Sequence, residues 1–406
     1  MKFMVDVQDL WPEAFCMAIK NPVLQKLFAP MTRYVNKAYA AADGVVAVSQ
    51  TYVNRVLQVN NKVKVGVNVF LGNDGELFDE GREKHLLKRN DDELWLCYVG
   101  SMSTSYDIPC VIDALAILKE KGIQNIRFVL VGKGEKYDEF KQYAQQKSIL
   151  CDFMGFKPYQ EMVGIMCACD MVVNPIVKGS AASIINKVGD YAMSGLPVIN
   201  SQECQEYRNL IDEYKCGINV KCGDGADMAK AIELLAADKA LREKMGQNAS
   251  RLGREKFDRR YSYENIVNEI ESLCNDKNNL KVTILANFPS RLDGGAAKGR
   301  FLYLGEMLAD RGHTVEMVVS DFVHGSKVRR EPESVSNIYK TKITILHEPG
   351  YKKNVSVKRL YSHWCWGRNV EKYLNAQTIP PDCIFCAIPS LTVARKAAHY
   401  CEKQPK

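Results

Sequence analysis

The sequence lacks the long apolar runs and the acidic metal motif that mark several large protein classes. No apolar run approaches the roughly 18 residues that are needed to cross a bilayer. The start, Met1–Asp6, reaches a carboxylate too early for a signal peptide. We therefore expect the protein to be cytosolic, or peripheral on the cytosolic face of a membrane.

Cysteine is abundant, but its spacing argues against a disulfide framework and against structural zinc. Most of the 14 cysteines lie in apolar runs. The chain has a single Cys-x-x-Cys, Cys383–Cys386, which stands in such a run without a second pair at ligand spacing. Without a secretion signal, reduced thiols packed in the core are the better interpretation.

Positive charge is in excess only in the last third of the chain. Residues 281–406 contain 20 Lys and Arg against 11 Asp and Glu, whereas the first 280 residues contain 35 against 37. This distribution fits either a solvated basic face or a surface that attracts an anionic partner.

With 406 residues, the chain has room for two domains of about 150–200 residues each. Its middle alternates continuous apolar runs with amphipathic stretches, which predicts a parallel sheet covered by helices on both faces. We predict strands at Leu94–Val99, Arg127–Val131, Met171–Asn174 and Pro197–Asn200, with helices at Ile108–Lys121, Lys136–Lys147 and Lys187–Met193. Residues 73–256 are therefore assigned to one doubly wound domain.

Each end of the chain looks like an incomplete α/β domain. Residues 281–406 supply strands such as Val282–Asn287 and Thr314–Val319 but stop where another parallel strand should enter. Residues 1–72 begin with such a strand, Phe3–Val7, and continue to a strand predicted at Val63–Phe70. Neither piece can satisfy its strand edges alone. We predict that 281–406 followed by 1–72 form one domain, by circular permutation, with residues 257–280 as crossover helix and linker. The rival interpretation is a complete unit followed by a truncated second copy.

Several motifs, in this permuted order, resemble the family-4 glycosyltransferases of the GT-B architecture. They are Val282–Leu285, Gly294-Gly295, Leu308–Val315, Asp9–Glu13, Ala42–Ser49, Tyr98–Ser101, Val129–Gly134 and Asp190–Ile199. The resemblance covers essentially the whole chain, and Asp9-Leu10-Trp11-Pro12 is similar to the branch that builds bacterial surface polysaccharides. It implies two Rossmann-like domains facing a cleft and retaining sugar transfer from a nucleoside diphosphate sugar, UDP-linked, without a further cofactor.

The resemblance also implies the donor site, and part of the family's pattern is missing. Asp190 stands where relatives hold the ribose hydroxyls, but the first acid of the family pair is replaced by Ala182. The basic residues that many relatives place after the first strand are Ser101 and Asp107 here. We therefore expect Gly100, Ser101 and the amides of the following helix to bind the departing diphosphate. Lys178 and Lys187 are expected to add positive charge there. A solvated aspartate and surface lysines remain the alternatives.

Three further residues complete the expected site. Phe156 stands where relatives position the base, and Gly295 follows a strand, where backbone can approach a ligand closely. Asp9 is a candidate to orient the acceptor, although an aspartate that caps the next turn is equally compatible with the sequence. The chain has no Asp-x-Asp, so we expect no metal in the mechanism.

A basic, aromatic stretch, Tyr351–Arg368, bears on the acceptor. Lysine and arginine beside tryptophan and tyrosine suit an anionic bilayer surface. The residues that we assign to acceptor or membrane contact are Trp11, Lys352, Lys353, Arg359, Trp364 and Trp366. The alternative is an amphipathic helix packed on its own sheet, and no nucleic-acid-binding fold is recognised.

The predicted function is transfer of a sugar from a nucleoside diphosphate sugar to a glycan or a polyprenyl-diphosphate-linked glycan. A GT-B sugar epimerase and an inactive permuted scaffold or binding module are the alternatives. Ligand binding and product analysis would separate the three.

Overall fold

The computed structural model describes residues 1–13, 29–89, 93–180, 183–275, 277–287, 292–295, 297–331, 335–354, 356–388 and 390–404. The strands within these residues are β1 (Lys2–Val7), β2 (Gly44–Ala47), β3 (Val67–Asn68), β4 (Leu94–Val99), β5 (Ile126–Val131), β6 (Cys151–Gly155), β7 (Met171–Asn174), β8 (Val198–Asn200), β9 (Gly217–Asn219), β10 (Lys281–Ala286), β11 (Thr314–Ser320), β12 (Phe322–Val323), β13 (Val328–Arg329), β14 (Lys342–Leu346) and β15 (Cys383–Ile388).

The α-helices of the same residues are α1 (Ala29–Ala41), α2 (Gln50–Leu57), α3 (Gly75–His85), α4 (Ile108–Glu120), α5 (Tyr137–Gln146), α6 (Tyr159–Cys167), α7 (Lys187–Ser194), α8 (Gln205–Tyr214), α9 (Gly225–Ala237), α10 (Lys239–Leu252), α11 (Arg259–Ser262), α12 (Glu264–Leu273), α13 (Arg300–Asp310), α14 (Val357–Asn375) and α15 (Leu391–Lys403). A π-helical turn, Gly253–Phe257, follows α10. In the part of the chain that is described, no helix is long and apolar enough to cross a membrane.

The chain divides into two compact units. The first unit contains Met1–Phe70 and Tyr263–Lys406, and the second unit contains Leu71–Ser262. Residue 276, inside the predicted linker, lies outside the described residues. The assignment of acceptor and donor roles to residues 1–72 with 281–406 and to residues 73–256 stays a prediction.

The first unit is built on one parallel sheet with the order β14-β11-β10-β15-β1-β2-β3. β15 lies between β10 and β1. Its residue Cys383 is aligned with Val282 of β10 and with Lys2 of β1. The two ends of the chain thus share one sheet. If the strands of this sheet are numbered from β10 to β15 and then from β1 to β3, their spatial order is 3-2-1-4-5-6-7. The predicted permutation requires this order.

A buried ion pair joins the two chain segments of this unit. Arg300, at the start of α13, donates from Nε and Nη2 to the two carboxylate oxygens of Asp6 in β1, at 2.8 and 2.9 Å. Its Nη1 donates to the carbonyl of Phe70 at 3.0 Å. Removing one partner of such a buried pair typically costs about 3–5 kcal/mol, because the other charge is left uncompensated.

The second unit has a parallel sheet with the order β6-β5-β4-β7-β8-β9. In chain order this is 3-2-1-4-5-6, the doubly wound arrangement of Rossmann-like domains. The strands are buried apolar runs such as Leu-Trp-Leu-Cys-Tyr-Val in β4. Helix ends follow local signals: Asp107 caps α4 by accepting from the amide of Cys110, and Gly195, with φ of 74°, ends α7 in the left-handed region. The predicted pair of parallel-sheet α/β units is confirmed.

One predicted strand is much shorter than expected. The run Val63–Phe70 forms a strand only at Val67–Asn68, which pairs with β2 at the edge of the first sheet. Val65 is largely exposed, because β3 is the edge strand among the described residues and the chain leaves the sheet early. The strand cysteines Cys383 and Cys386 are buried free thiols, which confirms their interpretation as core residues.

Candidate functional site

The candidate residues of the second unit lie at the carboxyl ends of its parallel strands. Gly100 and Ser101 follow β4, Phe156 follows β6 and Lys178 follows β7. β4 and β7 are neighbours in the sheet, while the chain continues from them in opposite directions across it. Open α/β sheets bind ligands in the crevice at such a switch point.

The loops after β4 and β5 approach each other so closely that glycine is required. The amide of Gly100 donates to the carbonyl of Val131 at 2.9 Å, and the amide of Met102 donates to the carbonyl of Lys133 at 3.0 Å. A Cβ added to Gly132, whose φ is 143°, would collide with the carbonyl of Gly100. The backbone after β4 is therefore held in one position.

Lys187, the first residue of α7, places its ammonium group against this loop. Nζ lies 4.3 Å from the ring centroid of Tyr98 and 3.8 Å from that of Tyr106, within the range of cation–π attraction. It also donates to the hydroxyl of Tyr98 at 3.1 Å, and that hydroxyl donates to the carbonyl of Ser101 at 2.5 Å. A Cβ added to Gly100 would collide with Nζ. The lysine, the glycine and the serine of the prediction are thus brought together.

The surroundings of Lys187 disfavour its charged form. Burial lowers the pKa of its ammonium group to about 7, and the nearby Asp190 opposes that shift. The residue as a whole is half-buried. A lysine that is half neutral near pH 7 is poised to gain a proton when an anion arrives.

Asp190 lies one turn further along α7 and is buried. Its Oδ1 accepts from Nδ2 of Asn73 at 2.6 Å and from the hydroxyl of Tyr159 at 2.7 Å, and Oδ2 accepts neither of these bonds. Burial raises the pKa of the carboxyl to about 6, while Tyr159, Arg259, Asn73 and Lys187 act to lower it. A buried, hydrogen-bonded carboxylate on the face of a helix that also carries the lysine is a candidate acceptor for ligand hydroxyls.

The other predicted donor residues are less enclosed. Phe156 is 71% exposed, and Lys178 and Ser101 are exposed side chains in their loops. Gly295 lies in the first unit, where its amide donates to Oδ1 of Asp293 at 3.2 Å. Ala182 lies outside the described residues.

Four residues that contact the candidate pair were not predicted: Asn73, Tyr159, Tyr98 and Tyr106. Tyr98 belongs to the motif Tyr98–Ser101, and a hydroxyl at the end of an apolar strand is a usable signal. Asn73 and Tyr159 are 117 and 31 residues from Asp190 in sequence, and no spacing rule connects them to it.

The predicted acceptor residues belong to the first unit. Arg359 stacks its guanidinium over the rings of Trp11 and Tyr351, at 4.9 and 5.5 Å from the centroids. Asp9 is exposed, and crowding by neighbouring atoms raises the pKa of its carboxyl while Arg359 lowers it. Lys352 and Lys353 are exposed.

One of the predicted surface tryptophans is in the core. Trp366 is fully buried among Val370, Leu374 and the inner face of the sheet, so its assignment to acceptor or membrane contact is wrong. Trp364, two residues earlier, is exposed and lies under the guanidinium of Arg368, 4.9 Å from the ring centroid. Because α14 turns by 100° per residue, residues two apart point to opposite sides. The helix is therefore both packed on its sheet and aromatic on its outer side.

Residues 79–252, all within the second unit, match the family model of glycosyl transferases group 1. The match leaves the first unit uncovered. Among curated proteins, the chain is 24% identical over 241 residues to an uncharacterized glycosyltransferase of Methanocaldococcus jannaschii, covering 58% of this chain and 60% of that protein.

A second relative is the GalNAc-α-(1→4)-GalNAc-α-(1→3)-diNAcBac-PP-undecaprenol α-1,4-N-acetyl-D-galactosaminyltransferase of Campylobacter jejuni, 24% identical over 46% of this chain and 49% of that protein. The chain spans about half the length of the curated relatives it matches. Among solved structures, HepE of Anabaena in complex with UDP has a TM-score of 0.47 and 18% identity, over 57% of this chain and 64% of that chain.

Proposed function

We propose that the protein is a retaining, metal-independent glycosyltransferase that moves a sugar from a UDP-linked donor to a glycan or polyprenyl-diphosphate-linked glycan. The observation that carries the proposal is the placement of Lys187 Nζ against the Gly100 loop, one helical turn from the carboxyl of Asp190. A cation and backbone amides at the switch point suit a diphosphate, and the carboxyl suits a sugar hydroxyl.

In this proposal each side chain has one role. Lys187, with the amides after Gly100 and Ser101, neutralises the departing diphosphate, and Lys178 approaches it from the neighbouring loop. Asp190 accepts from the ribose through Oδ2, since Asn73 and Tyr159 already occupy Oδ1. The amides and basic side chains stabilise the charge that develops on the leaving group.

The rest of the site is proposed from the family resemblance. Phe156 supports the base, Gly295 approaches the donor diphosphate or the acceptor, and Asp9 orients the acceptor. The strand order of the first unit supports the circular permutation. No base is assigned, because a retaining transfer lets the leaving phosphate take the acceptor proton.

The first unit also carries a stripe that suits a membrane surface. On α14 the side chains of Val357, Leu360, Tyr361 and Trp364 are 82%, 54%, 56% and 46% exposed. Their spacing of i, i+3, i+4 and i+7 aligns them on one side of the helix. With Lys352, Lys353 and Arg368 nearby in sequence, this outer stripe supports contact with an anionic bilayer.

Calorimetric titration with UDP tests the proposed donor site. We expect Asp190→Asn to weaken UDP binding by about ten- to a hundredfold, since a hydrogen bond to a charged group is worth about 1.5–3 kcal/mol. Asp138→Asn, in the first turn of α5, is the matched control and should bind like the parent. Equal UDP affinity of all three proteins would remove Asp190 from the site.

The same preparation separates the alternative functions. Absence of any UDP, GDP or dTDP binding would point to a scaffold. An altered sugar released from the donor alone, without acceptor, would point to an epimerase.

A further inference from the structure

Four basic side chains surround one buried tyrosine in the first unit, beyond the carboxyl ends of β11 and β14. The Nζ of Lys327 lies 4.9 Å and the guanidinium of Arg359 lies 5.5 Å from the ring centroid of Tyr351. The rings of His324 and His363 lie 5.7 and 5.8 Å from the same centroid. We call these four side chains around Tyr351 the basic cluster.

Three separate chain segments build the basic cluster. His324 and Lys327 lie in the hairpin between β12 and β13, Tyr351 follows β14, and Arg359 and His363 are one turn apart on α14. The hydroxyl of Tyr351 and Nδ1 of His324 are 2.6 Å apart, and Nε of Arg359 donates to Nε2 of His363 at 3.5 Å. The cluster is therefore held by contacts among its own members.

The loop that carries Tyr351 is also fixed from below. The amide of Gly350 donates to the hydroxyl of Ser362 at 2.9 Å, and a Cβ at Gly350, whose φ is 79°, would collide with the ring of Phe322. Ser362 and Ser320 each donate to the buried carboxyl of Glu348 at 2.7 Å. A layer of buried hydrogen bonds thus fixes the loop that carries Tyr351.

The positively charged forms of the cluster members repel one another. Burial lowers the pKa of His363 to about 3, with Arg359 and His324 adding to the shift. Burial also lowers the pKa of His324, helped by Lys327 and Arg359, and it lowers the pKa of Lys327, helped by Arg359.

Acidic side chains also lie near the cluster. Among the described residues that act on its members, Asp9 and Glu348 are the acids that attract Arg359. Loss of water around the carboxyl group is the chief cause that raises the pKa of each. Asp321 is paired with Arg329 and His347. Positive charge crowded in this way is stabilised when an anion enters.

We propose that the basic cluster binds a phosphate or diphosphate group, with Arg359 and Lys327 as the charged ligands and His324 and His363 as further donors. Arginine can meet two phosphate oxygens at once, and a histidine that gains a proton becomes a donor at both nitrogens. In the proposed function this group belongs to the acceptor, so that part of the inference rests on the proposed function. Binding of the anion itself does not.

Proton NMR of the six histidines, with inorganic pyrophosphate as probe, tests the site. UDP is kept saturating, so that the candidate donor loop is already occupied. We expect pyrophosphate to raise the titration midpoints of His324 and His363 and to leave those of His85 and His399 unchanged, because only the first two lie in the cluster. Unchanged midpoints for His324 and His363 would overturn the proposal.

Two variants make the test specific. Arg359→Gln should weaken pyrophosphate binding by about ten- to a hundredfold, and Lys372→Gln, which removes an exposed positive charge from the last turn of the same helix, should not. Lys327→Gln, checked for a native circular dichroism spectrum, replaces Arg359→Gln if that variant fails to fold. Equal affinities of the cluster variant and Lys372→Gln would also contradict the site.

The source of the phosphoryl group is resolved by a second titration. A short prenyl diphosphate that binds more tightly than pyrophosphate would assign the site to a lipid-linked acceptor, and equal binding would assign it to a free anion. Either result supports the basic cluster. Loss of UDP binding with retained histidine shifts would contradict the proposed donor site and leave this inference standing.

Discussion

Binding of UDP at pH 8 should be accompanied by proton uptake at Lys187. With its pKa lowered to about 7, the side chain is mostly neutral at that pH in the free protein. A diphosphate beside Nζ favours the ammonium form and returns the pKa toward the ordinary lysine value of about 10.4. UDP binding must therefore draw a proton from the buffer.

The size of the effect follows from the pKa of the free protein. A pKa of about 7 leaves about 0.9 of the molecules neutral at pH 8, so about 0.9 proton is taken up per UDP bound. If the pKa were one unit higher, the uptake would still be about 0.5. Linkage gives the sign for affinity: the bound state holds more protons, so UDP affinity falls as pH rises above about 7, approaching tenfold per pH unit.

Calorimetry in two buffers measures this uptake directly. The enthalpy of UDP binding is compared at pH 8 in Tris and in HEPES, whose ionisation enthalpies differ, and the difference gives the number of protons exchanged. Asp190, with a pKa of about 6, is already ionised at pH 8 and contributes little. Lys187→Met should abolish the uptake, whereas Lys178→Met, which alters an exposed lysine, should retain it.

Two results would refute the placement of Lys187 at the diphosphate. One is UDP binding to the parent protein with the same enthalpy in both buffers. The other is equal proton uptake by the parent and by Lys187→Met, which would place the titrating group elsewhere.

Two further predictions test the loop and the outer stripe. Gly100→Ala and Gly122→Ala each place a side chain at positive φ, a strain of about 1–3 kcal/mol in the free energy of unfolding. Only Gly100→Ala should also weaken UDP binding, by about tenfold, because its Cβ displaces Lys187 while Gly122 faces open space. Equal UDP affinity of the two variants would contradict this. Trp364→Ala should reduce cosedimentation with phosphatidylglycerol vesicles by about tenfold. Ile379→Ala, which removes another exposed apolar side chain, should not reduce it. Equal losses in the two variants would show that the stripe is not part of the membrane interface.

Buried strands could be predicted because their sequence is apolar on both faces. Leu94–Val99 and Met171–Asn174 have the bounds that the sequence predicts, since a strand covered by helices on both sides leaves few positions for polar residues. The edge strand at Val67–Asn68 was predicted too long, because the alternation of valine with polar residues in Val63–Phe70 is the same whether or not a neighbouring strand is present.

From residue spacing alone, the candidate site could be predicted only where its residues are close in sequence, whereas the family resemblance placed Gly100 and Ser101 with Lys187. Lys187 and Asp190 are three apart on one helix, so helical geometry puts them on one face. The partners of Asp190 come from other elements, Asn73 from the loop before α3 and Tyr159 from the start of α6. Long-range contacts of this kind depend on the packing of whole helices, and single residues carry no signal for them.

The helix α14 shows why its two alternatives could not be separated from the sequence. Trp366, Val370 and Leu374 repeat every four residues and are buried, while Val357, Leu360 and Trp364 follow an equally regular apolar pattern and are exposed. Both faces satisfy the helical period, and the choice of the inner face depends on which one fits against the strands. The buried face fixes the helix on the sheet, and that fixed position holds Arg359 beside Tyr351 while the outer stripe faces solvent. The proposed phosphoryl site and the proposed membrane-facing stripe lie on one helix, and together they would suit an acceptor whose charged group lies at a bilayer surface.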